Sequence, residues 1–203
     1  IFMAFFKMTV KTTVKAVLMT AVLSLASVSQ AELSSNVPLD YSRFDLMGAE
    51  QLVQLANQNN QHAQFYLAKR LQKGQGFTPA PAKAVHWYTR AANQGVIPAQ
   101  LNLGKMYAMG QGVPVNEQQA RYWLEKATMH GDNRASYLLA MIEEKQQKLV
   151  DAYKWYDLSA RDGMLDERVR NKARGKIGQL ALNLSSKDIT NARNQATSWL
   201  QNK

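Results

Sequence analysis

Apolar residues in the middle of the chain recur at a spacing of 36 positions, which is far longer than the period of one helix or strand. Within each copy they lie three or four residues apart, the spacing of one helix face. The pattern therefore predicts a tandem array of helical units. The recurring pairs are Ala63 with Ala99, Leu67 with Leu103, Ala84 with Ala120, Trp87 with Trp123 and Gly95 with Gly131.

Each copy is expected to contain two helices joined by a glycine-containing loop. In the second copy, Leu103, Gly104 and Tyr107 share one helix face, and the Gly-Gln-Gly of residues 110–112 ends that helix. Gly104 leaves room for a neighbouring helix to approach closely. Asn116 is placed to cap the second helix, because its side chain can accept a hydrogen bond from the first turn.

The third copy is shorter than the other two. Trp155 follows Trp123 by 32 positions, so four residues are missing. Gln146, the counterpart of the first loop glycine, lies only six positions before Ala152, whereas Gly110 precedes its alanine by ten. The missing residues therefore come from the loop, and both helices of the third copy are expected to survive.

These motifs resemble the Sel1-like repeat family, a branch of the tetratricopeptide-like α-solenoids. The second copy carries the resemblance as Ala99, Leu103-Gly104, Tyr107, Gly110-Gln111-Gly112-Val113, Ala120, Trp123, Ala127, Gly131 and Ala135. The resemblance implies an all-α fold, an α-solenoid of antiparallel helix pairs closed by a C-terminal capping helix pair. Leu71 and Glu143 depart from it, since each stands where the family pattern has tyrosine.

The predicted organisation follows from the repeats and their flanks. It comprises a signal peptide at residues 1–31, an extended lead at 32–47, a degenerate N-terminal capping helix at 48–62, repeats at 63–98 and 99–134, a shortened repeat at 135–166 and C-terminal capping helices at 167–203.

The first 31 residues have the order of a secretory signal peptide. Three lysines between positions 7 and 15 precede an apolar stretch at residues 16–26, and Ser-Gln-Ala at 29–31 forms a small-x-small cleavage signal. We therefore expect cleavage near Ala31 and a periplasmic or secreted bacterial protein without stable membrane insertion. An uncleaved N-terminal anchor is the alternative, although the apolar stretch is short for a membrane span.

Composition narrows the function classes. The 203 residues contain no cysteine and carry a formal net charge of +10. A disulfide scaffold, a cysteine-ligated metal site and a cysteine nucleophile are thereby excluded. A basic balance can indicate nucleic-acid binding, but export argues against nucleic acid as a partner. Acidic protein partners or anionic envelope surfaces are favoured instead.

No motif in the sequence indicates catalysis, a metal or a cofactor. His62, His86 and His130 are the only histidines, and no two of them have the spacing of a metal site. Glu143 and Glu144 are adjacent, so on a helix they point about 100° apart. The Gly-Gln-Gly motifs lack the Lys-Ser/Thr pair of a phosphate-binding loop and are interpreted as turns.

The remaining candidate is a binding groove. Resemblance to tetratricopeptide-like repeats implies that the first helix of each unit lines the concave side of the solenoid. Lys69 and Lys105 occupy equivalent positions and would form a short row of charge, with aromatic and methionine side chains as apolar anchors. The predicted partner-binding residues are Phe65, Lys69, Lys73, Lys105, Met109, Arg134, Tyr137 and Met141.

The functional hypothesis is an exported adaptor that binds a peptide or protein segment in this groove. The charge of the groove favours an acidic segment. Some cysteine-rich members of the family have been linked to β-lactam binding or hydrolysis, so a cell-wall-related binder or enzyme is one alternative. A structural or assembly factor of the envelope is another. The oligomeric state is left open by the sequence.

Overall fold

The computed structural model describes residues 42–161 and 166–201. The chain divides into two compact units, residues 1–43 and 44–203, and only the last two residues of the first unit are described. The predicted signal peptide and residues 32–41 of the predicted lead lie outside the described residues.

The described ranges are helical and contain no strand. The ten helices are α1 (Ser42–Leu46), α2 (Ala49–Asn57), α3 (Gln61–Lys73), α4 (Pro81–Asn93), α5 (Ile97–Met109), α6 (Glu117–Met129), α7 (Asn133–Lys145), α8 (Leu149–Ala160), α9 (Glu167–Ala181) and α10 (Ser186–Gln201). Helices α3/α4, α5/α6 and α7/α8 pack as pairs, and each pair packs on the next. The predicted all-α solenoid of helix pairs is confirmed.

Local sequence signals set the helix boundaries. The Asn116 side chain accepts a hydrogen bond from the backbone N–H of Gln119 and caps α6, as predicted. Gly110 ends α5 in the left-handed conformation, with φ of 69°, which glycine adopts without a steric penalty. The loop between α7 and α8 has only residues 146–148, four fewer than the loop at 110–116. This confirms the prediction that the third repeat has a shorter loop but keeps both helices.

Small side chains let neighbouring helices approach. Ala63, Ala99 and Ala135 are fully buried at equivalent positions of α3, α5 and α7. A Cβ built on Gly104 would lie 2.6 Å from Cγ of Leu124 in α6, so only glycine fits there without displacing its neighbour. The predicted close approach at Gly104 is thus present.

The repeated tryptophans pack between helices, with a cation beside each ring. Trp123 and Trp155 are buried, and Trp87 is half-buried against the same core cluster as Trp123. The cation–ring pairs are Arg90 with Trp87 at 5.0 Å from the ring centroid, Lys126 with Trp123 at 5.5 Å and Lys154 with Trp155 at 4.5 Å. The long cationic side chains cover apolar ring surface while their charges stay near water.

Buried amides connect each of the first two repeats to the preceding helix, which the apolar pattern did not predict. The Gln64 side chain donates to the backbone carbonyl of Ala56 at 3.1 Å, and Gln100, 36 positions later, donates to that of Ala92 at 3.2 Å. Both acceptors lie at helix C-terminal ends, where carbonyls lack partners within their own helix. These hydrogen bonds therefore stabilise the repeat-to-repeat junctions.

The N-terminal boundaries differ from those predicted. The segment predicted as an extended lead ends in helix α1, and the predicted capping helix at 48–62 is α2, which stops at Asn57. Helix α3 begins at Gln61 rather than at position 63, because Asn60 accepts hydrogen bonds from the first-turn N–H groups of residues 62 and 63. Periodicity cannot reveal a five-residue helix such as α1, whose stability comes from contacts with α3.

Helices α9 and α10 close the C-terminal end of the solenoid. Ala173 and Leu180 of α9 and Ala192 of α10 are buried, while most other positions of both helices face solvent. Trp199 of α10 packs edge-on against Trp155, with ring centroids 5.3 Å apart. This polar outer surface is what a terminal element of a repeat array requires.

Gly104 and Gly178 have different surroundings, so replacing each by alanine should change the stability of the protein in opposite directions. Gly104→Ala should destabilise the protein by about 1–2 kcal/mol, because the new methyl group overlaps Leu124. Gly178→Ala in α9 should stabilise it by up to about 1 kcal/mol, because nothing lies within 4 Å of the added Cβ and alanine favours the helix. Urea-unfolding midpoints measure both effects. A Gly104→Ala protein as stable as the parent would contradict the close approach.

Candidate partner-binding groove

A groove of about 680 Å³ lies between the first helices of the first two repeats. Helix α3 contributes Phe65, Lys69, Gln72 and Lys73, and α5 contributes Pro98, Leu101, Asn102 and Lys105. Pro81 and Tyr88 of α4, Gln111 and Gly112 of the following loop and Arg134 of α7 complete it. The structure thus brings together five of the predicted binding residues: Phe65, Lys69, Lys73, Lys105 and Arg134.

Every charged side chain that lines the groove is a cation. Lys69 donates to the Asp45 carboxylate at 3.0 Å, and Arg134 is bound by the carboxylate of its neighbour Asp132. For the other two groove cations, on residues 73 and 105, the described part of the chain shows no salt bridge. Two positive charges are therefore open to an anionic ligand.

Apolar side chains form one wall beside these charges. The Phe65 ring packs against the rings of Tyr66 and Tyr88, with centroids 5.1 and 5.8 Å away, and keeps part of its surface accessible. Leu101 is largely buried but also reaches the groove. An apolar side chain that enters here would lose contact with water on several sides.

The groove floor carries hydrogen-bonding groups that sequence reasoning missed. The Tyr88 hydroxyl donates to Oε1 of Gln72 at 3.1 Å and is hydrogen-bonded by the Asn102 side chain. Burial raises the pKa of Tyr88 well above its ordinary value, so the hydroxyl remains a protonated donor at neutral pH. One signal was available, because Asn102 is a polar residue between two leucines of α5.

The loop glycines position the rim of this groove. A Cβ on Gly112 would lie 2.4 Å from the carbonyl carbon of Pro81, and φ at Gly112 is +76°. Only glycine allows this loop to rest on the start of α4. The contact holds Gln111 where its side-chain oxygen accepts a hydrogen bond from Nε2 of Gln72 at 3.3 Å. The interpretation of Gly-Gln-Gly as a turn thus extends to an inter-repeat contact.

Three predicted binding residues do not line the groove. Met109 is 54% exposed, and its sulfur contacts the Gln111 side chain at 3.8 Å outside the groove lining. Met141 is also largely exposed. Tyr137 packs edge-on against Tyr156 of α8, with ring centroids 5.2 Å apart. The third repeat thus contributes only Arg134 to the groove.

A polar cluster next to Tyr137 attaches the C-terminal helices instead. Lys176 of α9 donates to both carboxylate oxygens of Glu144, at 2.8 and 3.1 Å, and the Tyr156 hydroxyl donates to the same carboxylate at 2.6 Å. Burial raises the pKa of Glu144, but the hydrogen bonds from Lys176 and Tyr156 outweigh burial. The pKa of Glu144 therefore lies below its ordinary value.

The described residues contain no group of three or more His, Asp or Glu side chains that could hold a metal ion. Within the same ranges, no helix is both long and apolar enough to cross a membrane. The groove itself offers cations, amides, a hydroxyl and apolar surface. Such a set can bind a carboxylate-bearing segment by charge, hydrogen bonds and apolar contact.

The repeats of this chain match a known sequence family. A sequence model of the Sel1 repeat matches residues 61–96, 97–132 and 135–164. The first two matches begin where α3 and α5 begin, two residues before the predicted repeat boundaries at 63 and 99. No curated protein sequence matches the chain.

The solved structures similar to this chain include the following two. The crystal structure of a Sel1 repeat protein from Oxalobacter formigenes has 31% sequence identity and a TM-score of 0.50, over 62% of this chain and 96% of that one. The second, c5321, is described as a protective antigen present in uropathogenic Escherichia coli strains displaying an SLR fold. It has 24% identity and a TM-score of 0.45, over 75% of this chain and 40% of that one.

The Glu144 cluster predicts a pH-dependent contribution to stability. Glu144→Gln should destabilise the protein by about 1–2 kcal/mol at pH 7, because charge-assisted hydrogen bonds to α9 are lost. The folded-state pKa lies below the ordinary value of 4.5, so the contribution of the carboxylate is complete above that pH and is lost as pH falls through the folded pKa.

Urea unfolding of the parent and the variant from pH 7 to pH 3 measures this effect. The difference in the free energy of unfolding should shrink below pH 4.5. Glu50→Gln, on the exposed face of α2, is the control and should change stability little. A parent–variant difference that stays constant down to pH 3 would argue against the carboxylate's role.

Proposed function

The chain belongs to the Sel1 repeat family, and from this premise we propose that it is an exported adaptor that holds an acidic segment of a partner protein in the groove. Sel1 repeats generally mediate protein–protein interactions, and their fold is typically a non-enzymatic scaffold. The proposal therefore assigns recognition to the groove and no chemical step to the chain.

The observation that carries the proposal is the charge of the groove. Its charged lining consists of four cations, and the acids that form salt bridges with them in the described residues, Asp45 and Asp132, lie outside the lining. An approaching carboxylate meets Lys73 and Lys105 without displacing an internal partner. Complementary charge of this kind accelerates encounter and selects against cationic segments.

The groove also suits a peptide for reasons other than charge. A segment in an extended conformation presents backbone N–H and C=O groups, which the Asn102 and Gln72 side chains can bind. Phe65 and Leu101 provide apolar contact for a side chain of the same segment. Aromatic and aliphatic anchors next to polar groups are the usual composition of protein recognition sites.

Export is part of the proposal and is supported by the sequence. Basic residues, an apolar stretch and the Ser-Gln-Ala triplet follow one another in the first 31 positions. The absence of cysteine suits either an oxidising or a reducing compartment. The partner is therefore expected among envelope or extracellular proteins.

Charge reversal in the groove tests the proposal. The double variant Lys73→Glu/Lys105→Glu should lower capture of the partner from an envelope extract by roughly tenfold or more, because attraction becomes repulsion at both open cations. The matched control Lys83→Glu/Lys172→Glu changes net charge equally at exposed positions outside the groove lining. Quantitative mass spectrometry of the captured proteins measures both variants.

The two double variants must first show the same helical circular dichroism as the parent. The proposal expects selective loss of captured protein in the groove variant and weaker salt dependence of the remaining binding. Equal capture by the groove variant and its control would show that binding takes place elsewhere on the protein.

A further inference from the structure

One face of helix α3 already holds an apolar residue and an acid that come from the chain itself. Phe44 of α1 is 2% exposed, and its ring stacks on Tyr66 with centroids 5.4 Å apart. The buried guanidinium of Arg70 donates to the backbone carbonyls of Phe44 and Met47, at 3.1 and 2.7 Å. Helix α3 therefore binds this short segment by its main chain as well as its aromatic ring.

The next residue of the segment contacts a lysine that lines the groove. Asp45 follows Phe44 directly, and its carboxylate accepts a hydrogen bond from Nζ of Lys69 at 3.0 Å. The Asp45 side chain is 48% exposed, and Lys69 lines the groove at the same time. An aromatic residue points into the protein here while the adjacent acid meets a groove lysine.

The second repeat presents the same lysine without an internal acid. Lys105 stands in α5 where Lys69 stands in α3, and both line the groove. No salt bridge to Lys105 occurs in the described ranges. The apolar receptor is different, because Asn102 replaces Tyr66 at the equivalent position. Phe65 and Leu101 supply apolar surface in its place.

We propose that the groove recognises a segment of a partner protein in which a large apolar or aromatic residue is followed directly by Asp or Glu. The acid binds Lys105, with Lys73 nearby, and the apolar side chain packs on Phe65 and Leu101. This inference rests on the proposed function and specifies its ligand. The model for the ligand is the chain's own Phe44-Asp45, held one repeat away.

The size and lining of the groove agree with this ligand. A volume of about 680 Å³ lies in the range of pockets that enclose a small ligand, so the groove accommodates a few residues and not a folded domain. The Asn102 amide between the two walls can bind the main chain that joins the apolar and acidic residues.

Synthetic peptides provide the probe. A fluorescein-labelled peptide Ser-Gly-Phe-Asp-Leu-Gly-Ser is compared by fluorescence anisotropy with two analogues, one with Asn in place of Asp and one with Ala in place of Phe. The Phe-Asp peptide should bind at least about fivefold more tightly than either analogue, because each analogue loses one of the two anchors. Equal binding of the three peptides would overturn the proposal.

Variants of the protein test which lysine binds the acidic residue of the peptide. Lys105→Gln should weaken binding of the Phe-Asp peptide about fivefold. It should leave binding of the Phe-Asn analogue unchanged, since the lost interaction is with the carboxylate. The matched control is Lys83→Gln, at an exposed position of α4 outside the groove lining. It should change the affinity for neither peptide. If Lys69→Gln, and not Lys105→Gln, removes the preference for Asp, the peptide displaces α1 and the assignment to the second repeat is wrong.

The outcomes separate this inference from the proposed function. If the three peptides bind alike but charge reversal at Lys73 and Lys105 still abolishes partner capture, the ligand motif is wrong and the groove remains the binding site. If charge reversal also leaves capture unchanged, both fail. Preference for the Phe-Asp peptide that depends on Lys105 supports both.

Discussion

The close stacking of one helix pair on the next is the constraint on which the rest of the structure depends. A single pair cannot bury its apolar face, so each repeat needs its neighbour. Gly104 allows the two helices of one pair to approach closely, and Gly112 allows a loop to rest on the backbone of Pro81 in the preceding pair. Buried glutamine side chains at the junctions satisfy helix-end carbonyls that stacking removes from water.

The groove is a consequence of that stacking. Because α3 and α5 are held side by side, Phe65 and Leu101 line one groove. Lysines from both helices line the same groove. The loop contact at Gly112 carries Gln111 to the rim, where it joins the hydrogen-bonded series from Gln72 to Tyr88. Residues that hold repeats together thus also fix the shape and the polarity of the binding surface.

Regular features could be predicted from the sequence, and features set by tertiary contact could not. Helical periodicity and repeat spacing predicted the helix pairs, the shortened third loop and the alignment of Lys69 with Lys105. Helix α1 was missed because Arg70 and Phe44 stabilise it through contacts distant in sequence. Tyr137 was placed in the groove by repeat position, but its ring packs on Tyr156 of the next helix.

The central claim is that the groove between the first two repeats contacts the partner. A photo-crosslinking amino acid placed at Gln111, on the groove rim, or at His86, exposed on α4 outside the groove lining, tests it in the producing cell. The account predicts a covalent adduct with another protein from position 111 and none from position 86. Adducts from position 86 alone, or equally from both, would contradict it.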